Sequence, residues 1–253
     1  MSFDYTVAGI LWPAFVAGLL VTATHVPLGM QVLKRGIVFV DLAIAQIAGV
    51  GVIFADYLGW APAGAAVQIA ALGAALAGAL ALTWSERRWP ELQEAIIGMV
   101  FVVASSAAIL ILAKDPHGGE HLKDLLSGQI LWVNPKQLPL VALVYAVILA
   151  LWLGLQSRFA RSGFYVLCAC TGTLSVQLVG LFLVFATLVV PAVSTYYSPR
   201  RRLLKGYLIG ASGYAAGLVL SVVTDLPSGP AAVCAITAIG LLSAFAWRRS
   251  PPS

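Results

Sequence analysis

Charge is what this sequence has least of. Of 253 residues, 15 are Lys or Arg and 10 are Asp or Glu, whereas 60% are hydrophobic. A soluble domain carries about 25% charged residues, and this chain carries 10%. So little polar surface cannot clothe a folded chain in water, and a mean hydropathy of +0.94 makes lipid its main solvent. Cysteine is scarce too. Cys168, Cys170 and Cys234 each lie inside an apolar run and read as small packing residues, which excludes a disulfide scaffold. No G-x-x-x-x-G-K-S/T phosphate loop occurs, so ATP hydrolysis by that route is excluded and any ATP-driven role requires a separate subunit. The first basic residue is Lys34, so the start of the chain lacks the positive n-region of a cleavable signal peptide. The net charge of +5 sits in small clusters between apolar runs, the pattern of topology signals and not of a nucleic-acid partner.

What is present is a series of runs free of Asp, Glu, Lys and Arg: 5–33, 57–85, 95–113, 137–157, 162–199, 206–224 and 226–247, with 36–55 apolar apart from Asp41. A membrane-crossing helix needs roughly 20 such residues. The expectation is therefore an all-α, polytopic helical bundle of eight or nine transmembrane segments, a single domain over 1–253. The run 162–199 is too long for one crossing, since as a single helix it would reach about 57 Å. It is expected to break near Gln177–Gly180 and return. With that break, Lys34, Arg35, Arg87, Arg88, Arg158, Arg161, Arg200–Arg202, Lys205, Arg248 and Arg249 collect on one face of the membrane, against Lys114, Lys123 and Lys136 on the other. The positive-inside rule then puts the N-terminus outside and the C-terminus in the cytoplasm. The small residues of 61–82 read as close helix packing, and His121–Val133 in the polar loop 114–136 as an interfacial or re-entrant helix.

An ionisable group inside a spanning segment costs at least ~2.5 kcal/mol and marks a candidate site. Asp41 is the clearest. It is either a helix-end carboxylate paired with Lys34 and Arg35, or a ligand or gate facing a polar pathway. His25 stands just before Pro27 in the first segment. If residues 28–36 form the hairpin to the second, His25 and Asp41 share a depth, with Gln46 about one turn on. Imidazole, carboxylate and amide together suit transient binding of a divalent metal. Glu94 opens the fourth segment, where a carboxylate suits the helix dipole. His117, Glu120 and His121 spell H-x-x-E-H, but Pro116, Gly118 and Gly119 disfavour the helix that a zinc hydrolase would need. An outer metal-contact or docking loop is the better reading.

Several stretches, in order along the whole chain, resemble the permeases of zinc, manganese and iron ABC importers. Pro27–Gly29 with Val32–Arg35 and Phe39–Asp41 is similar to that family's PLG…V.RR…FGD opening. Glu94–Phe101 resembles its D-T-x-x-G helix entry, and Asp124–Val133 its YLFGxILxV segment. Leu178–Ala192 resembles VGxLLVSALLIIPA, and Asp225–Pro230 resembles DxPxGP. The resemblance implies an all-helical inner-membrane subunit of a bacterium that pairs with a second permease copy. It also implies a cytoplasmic ATPase pair, an extracytoplasmic metal-binding protein, no permanently bound cofactor, and a divalent metal ion as the transported substrate. Asp41 matches the family's second-helix Asp, but Ala45 stands where a His follows four residues later, with Gln46 beside it; His25 is the candidate replacement. The family's longer D-P-x-x-A-x-x-x-G segment is reduced here to Gln156–Gly163, so an ATPase contact would rest on Arg158, Phe159 and Arg161. That shortening leaves open an ATP-independent metal transporter or regulator descended from the same permeases.

Overall fold

The computed structural model describes residues 5–60, 64–112, 126–128, 130–155, 161–198 and 200–249, and among them it contains nine α-helices, three short 3-10 turns and no strand. In chain order the helices are α1 (Tyr5–Arg35), α2 (Val40–Tyr57), α3 (Ala65–Arg88), α4 (Gln93–Leu112), α5 (Leu138–Leu155), α6 (Arg161–Val179), α7 (Leu181–Ser194), α8 (Arg202–Thr224) and α9 (Ser228–Arg249). Seven helices are long and apolar enough to cross a membrane, and Gly163–Val179 and Leu181–Ser194 are shorter apolar pieces. The expected bundle is thus present. Its outer face is hydrocarbon: Leu110 is 74% exposed, Leu242 70% and Val103 68%, as lipid-facing side chains are and water-facing ones are not.

Lipid gives helices no hydrophobic reason to associate, so packing falls to small residues and close van der Waals contact. Ala71, Ala75 and Ala79, spaced one turn apart, are fully buried on α3, and a Cβ at Gly51 of α2 would meet Ala70 and Ala74. The small-residue run therefore does what its composition led us to expect. Helices α2, α3, α4 and α6 pack together on one side, and α1, α7, α8 and α9 on the other, with α1, α6 and α7 bridging them.

The long run breaks at Gly180. Its φ of +86° lies in a region that side chains avoid, and the backbone of Gly128 crosses directly against it, leaving no space for a Cβ. The chain does turn back there. Phe164, near the start of α6, lies under Arg35, while Phe185 of α7 stacks on Phe39 with centroids 5.9 Å apart. Both neighbours belong to the α1–α2 turn, so α6 leaves that level and α7 returns to it.

One boundary differs from expectation. The turn between the first two helices is not 28–36; α1 continues through Pro27 to Arg35. A proline inside a helix leaves the carbonyl four residues earlier without its donor, and in lipid that group needs another partner. Tyr207 of α8 supplies it, its hydroxyl donating to Ala23 O at 3.3 Å. Within the loop 114–136, residues 113–125 and 129 lie outside the described residues; Ile130–Trp132 forms a 3-10 turn.

The tyrosine's role makes a specific prediction. Tyr207→Phe should cost about 0.6–1.7 kcal/mol, the range of interhelical hydrogen bonds in membrane proteins. In a Pro27→Ala background, which restores the intrahelical donor, the same substitution should cost less than about 0.5 kcal/mol. Thermal or denaturant unfolding in detergent micelles reads both. Equal costs in the two backgrounds would mean that Tyr207 does not serve this carbonyl.

Candidate functional site

Asp41 stands in the first turn of α2, where the helix dipole favours a negative group. It is 2% exposed, and among the described residues its Oδ2 has no hydrogen-bond partner. Its Oδ1 faces the backbone of Gly172 so closely that a Cβ there would lie 2.7 Å from it. The carboxylate interacts electrostatically with the Cys168 thiol, one turn before Gly172 on α6, and with the Tyr145 hydroxyl of α5. Tyr145 in turn is hydrogen-bonded to Ser175 of α6 at 2.5 Å. Farther along the seam, Tyr214 of α8 and Thr187 of α7 share a 3.0 Å hydrogen bond. A line of polar groups thus runs through the protein interior, with Asp41 among them.

Of the two readings of Asp41, pairing with Lys34 or Arg35 is not seen among the described residues. Arg35 places its guanidinium 4.2 Å from the centre of the Phe164 ring. Taking a carboxylate out of water without a partner costs several kcal/mol. Gln93 shows the contrast. Its amide donates to Leu82 O at 3.0 Å and to Tyr165 Oη at 2.9 Å, and accepts from Ser85 Oγ at 2.9 Å. That network clamps α3, α4 and α6 together at the end where α6 begins.

The remaining sequence candidates fall in different places. His25 is buried on α1, and its Nδ1 lies 3.0 Å from both Val21 O and Thr24 Oγ1. Because α1 runs on to Arg35, His25 sits about 15 Å farther along the helix than the turn leading to Asp41, and no described interaction joins the two. The shared depth expected from a hairpin at 28–36 is therefore absent. Gln46 is 3% exposed but projects about 140° around α2 from Asp41; Ala45, fully buried, shares the Asp41 face. Glu94 does open α4, and its Oε1 also accepts from the Phe39 backbone N–H at 3.4 Å, so one carboxylate serves two helix starts. His117, Glu120, His121, Arg158 and Phe159 lie outside the described residues; Arg161 begins α6, and its side chain is among those not described. No group of three or more His, Cys, Asp or Glu that could hold a metal ion occurs among the described residues. Sequence reasoning passed over Tyr145, Cys168, Gly172 and Ser175. The last three recur at four and three residues, one face of a helix, and that spacing was the available signal.

Nine apolar helices, seven of them long enough to cross a bilayer, define a polytopic helical membrane protein, with the buried Asp41 in its polar seam. The ABC 3 transport family model matches residues 8–160 and 150–247, and the chain belongs to that family of membrane transport proteins. It is 23% identical over 267 residues to the manganese transport system membrane protein MntC of Halalkalibacterium halodurans, covering 97% of this chain and 88% of that one. To the high-affinity zinc uptake system membrane protein ZnuB of Haemophilus influenzae it is 21% identical over 262 residues, covering 95% and 98%. Its fold is similar to that of PsaBC from Streptococcus pneumoniae in complex with Fab, with a TM-score of 0.72 at 20% identity over 95% of this chain and 91% of the other.

An unpaired buried acid predicts that Asp41→Asn, which keeps the shape and removes the charge, costs less than about 0.5 kcal/mol or stabilises the protein. Thermal unfolding in detergent checks this. A loss of about 3–5 kcal/mol, as when a buried ion pair is broken, would reveal a cationic partner for the carboxylate.

Proposed function

We propose that this chain is the membrane-spanning permease of an ATP-driven importer of a divalent metal ion, zinc, manganese or iron. Two copies would work with a cytoplasmic ATPase pair and an extracytoplasmic metal-binding protein, the N-terminus outside and the C-terminus inside. The observation that carries this is the orphaned Oδ2 of Asp41; family membership and the named cargo of the relatives support it. A cation leaving water loses its hydration shell, and a carboxylate waiting in a low-dielectric seam replaces part of it at the depth where the loss is greatest.

Helix α6 links that site to an energy source. It begins at Arg161, next to Arg158 and Phe159 where the ATPase would press, and its middle lies over Asp41 at Gly172. Rocking α6 away from α2 uncovers the acid, and returning it closes the site. The cation would arrive at the outer face near His117–His121 and pass His25, Gln46 and Asp41 by transient coordination. Hydrolysis of ATP belongs to the partner subunit, and no covalent chemistry is asked of this chain.

Uptake of radioactive zinc or manganese into proteoliposomes containing the permease, the ATPase and the binding protein tests the reading. Asp41→Ala should lower ATP-dependent uptake about tenfold or more, equivalent to at least ~1.4 kcal/mol of lost stabilisation along the path, and His25→Ala should lower it less. Parent-level uptake by folded Asp41→Ala would overturn the route. Uptake that proceeds equally without ATP would replace the importer with an ATP-independent transporter.

A further inference from the structure

The polar seam holds a second group able to bind a metal, and it is not the histidine that composition nominates. Cys168 is 1% exposed and unpaired with any other cysteine. It lies four residues before Gly172 on α6, about 40° around the helix, and so on the face that meets Asp41. Its thiol interacts electrostatically with that carboxylate and with the Arg35 guanidinium, and among the described residues Asp41 Oδ2 has no hydrogen-bond partner. At Ala45, the position of α2 one turn beyond Asp41 on the same face, there is no donor side chain.

Resting on the transport reading above, we propose that Cys168 and Asp41 together bind the cation in transit, and that the sulfur makes the site select a thiophilic divalent ion such as zinc over manganese. Charge supplies the first reason. One carboxylate leaves a divalent ion with a net charge of +1 in a medium that penalises it. Binding with loss of the thiol proton to water gives an ion, a carboxylate and a thiolate that sum to zero. Ligand chemistry supplies the second: thiolates favour zinc, whereas manganese favours oxygen donors. The Tyr145 hydroxyl, held by Ser175 beside the same carboxylate, completes the donor set as a neutral oxygen. Gly172, one turn beyond Cys168, leaves the space beside Asp41 Oδ1 free of a side chain.

The test uses the full-length protein in detergent with Cys170→Ser and Cys234→Ser, so that Cys168 is the sole thiol, and cadmium as a spectroscopic substitute for zinc. Cadmium should produce the ultraviolet thiolate-to-metal charge-transfer band at one ion per chain. Cys168→Ser should abolish the band, Asp41→Asn should weaken cadmium binding at least tenfold, and Cys168→His should keep binding without the band. In the proteoliposome assay, Cys168→Ser should lower the zinc-to-manganese uptake ratio about tenfold. Absence of the band in the parent at saturating cadmium, or an unchanged uptake ratio in folded Cys168→Ser, overturns the assignment. If Asp41→Asn still abolishes uptake in that case, the transport reading stands and only the thiol ligand falls. If the band forms but Asp41→Asn transports normally, the transport route falls instead.

Discussion

Asp41 is a carboxylate held out of water with one oxygen unmatched, and the arrangement of the inner helices depends on keeping it so. An acid in this position is tolerated because α2 begins there, its dipole pointing positive end toward the charge, and because α6 presents a glycine where any other residue would press on Oδ1. The same contact makes α6 the cover of the site.

Elsewhere in the interior several buried polar groups are matched, although Glu94 Oε2, Ser105 Oγ and Thr173 Oγ1 share with Asp41 Oδ2 the lack of a hydrogen-bond partner. The carbonyl freed by Pro27 has Tyr207, the buried Gln93 amide has partners on three sides, and the start of α2 receives Glu94 from a neighbouring helix. Lipid enforces such matching, since an unsatisfied group has no water to fall back on. What sets Oδ2 apart from the other unpartnered oxygens is that it belongs to an acid 2% exposed in the first turn of an apolar helix. Position reinforces this, because α6 runs from the edge of the short 156–160 segment straight to the acid.

Much of the architecture was legible from composition alone. Charge-free runs of membrane-spanning length marked the helices, and the excess length of 162–199 forced a break that Gly180 supplies. Asp41 was legible because an acid in an apolar run has no ordinary reason to be there. The end of α1 was not, because Pro27 looks like a terminator until a tyrosine 180 residues later in the chain satisfies the carbonyl it frees. That single misplacement made His25 appear level with Asp41, when helical rise separates them. The neighbours that do meet the acid were hidden for a different reason. Cysteine, glycine and tyrosine pass as apolar filler in a membrane sequence, and only the packing of α6 against α2, with Tyr145 of α5 hydrogen-bonded to Ser175 of α6, brings them near the acid. The outer His117–His121 motif and the Arg158–Phe159 pair are chemically apt at the sequence level and fall outside the described residues.

The most direct test of the account is to locate the ion itself. An anomalous-scattering map of the protein loaded with zinc should show one peak per chain within about 2.0–2.2 Å of Asp41 Oδ2, the distance of a zinc–carboxylate bond. A zinc peak elsewhere with Asp41 left bare, or Asp41 found paired with a lysine or arginine in the loaded state, would contradict it.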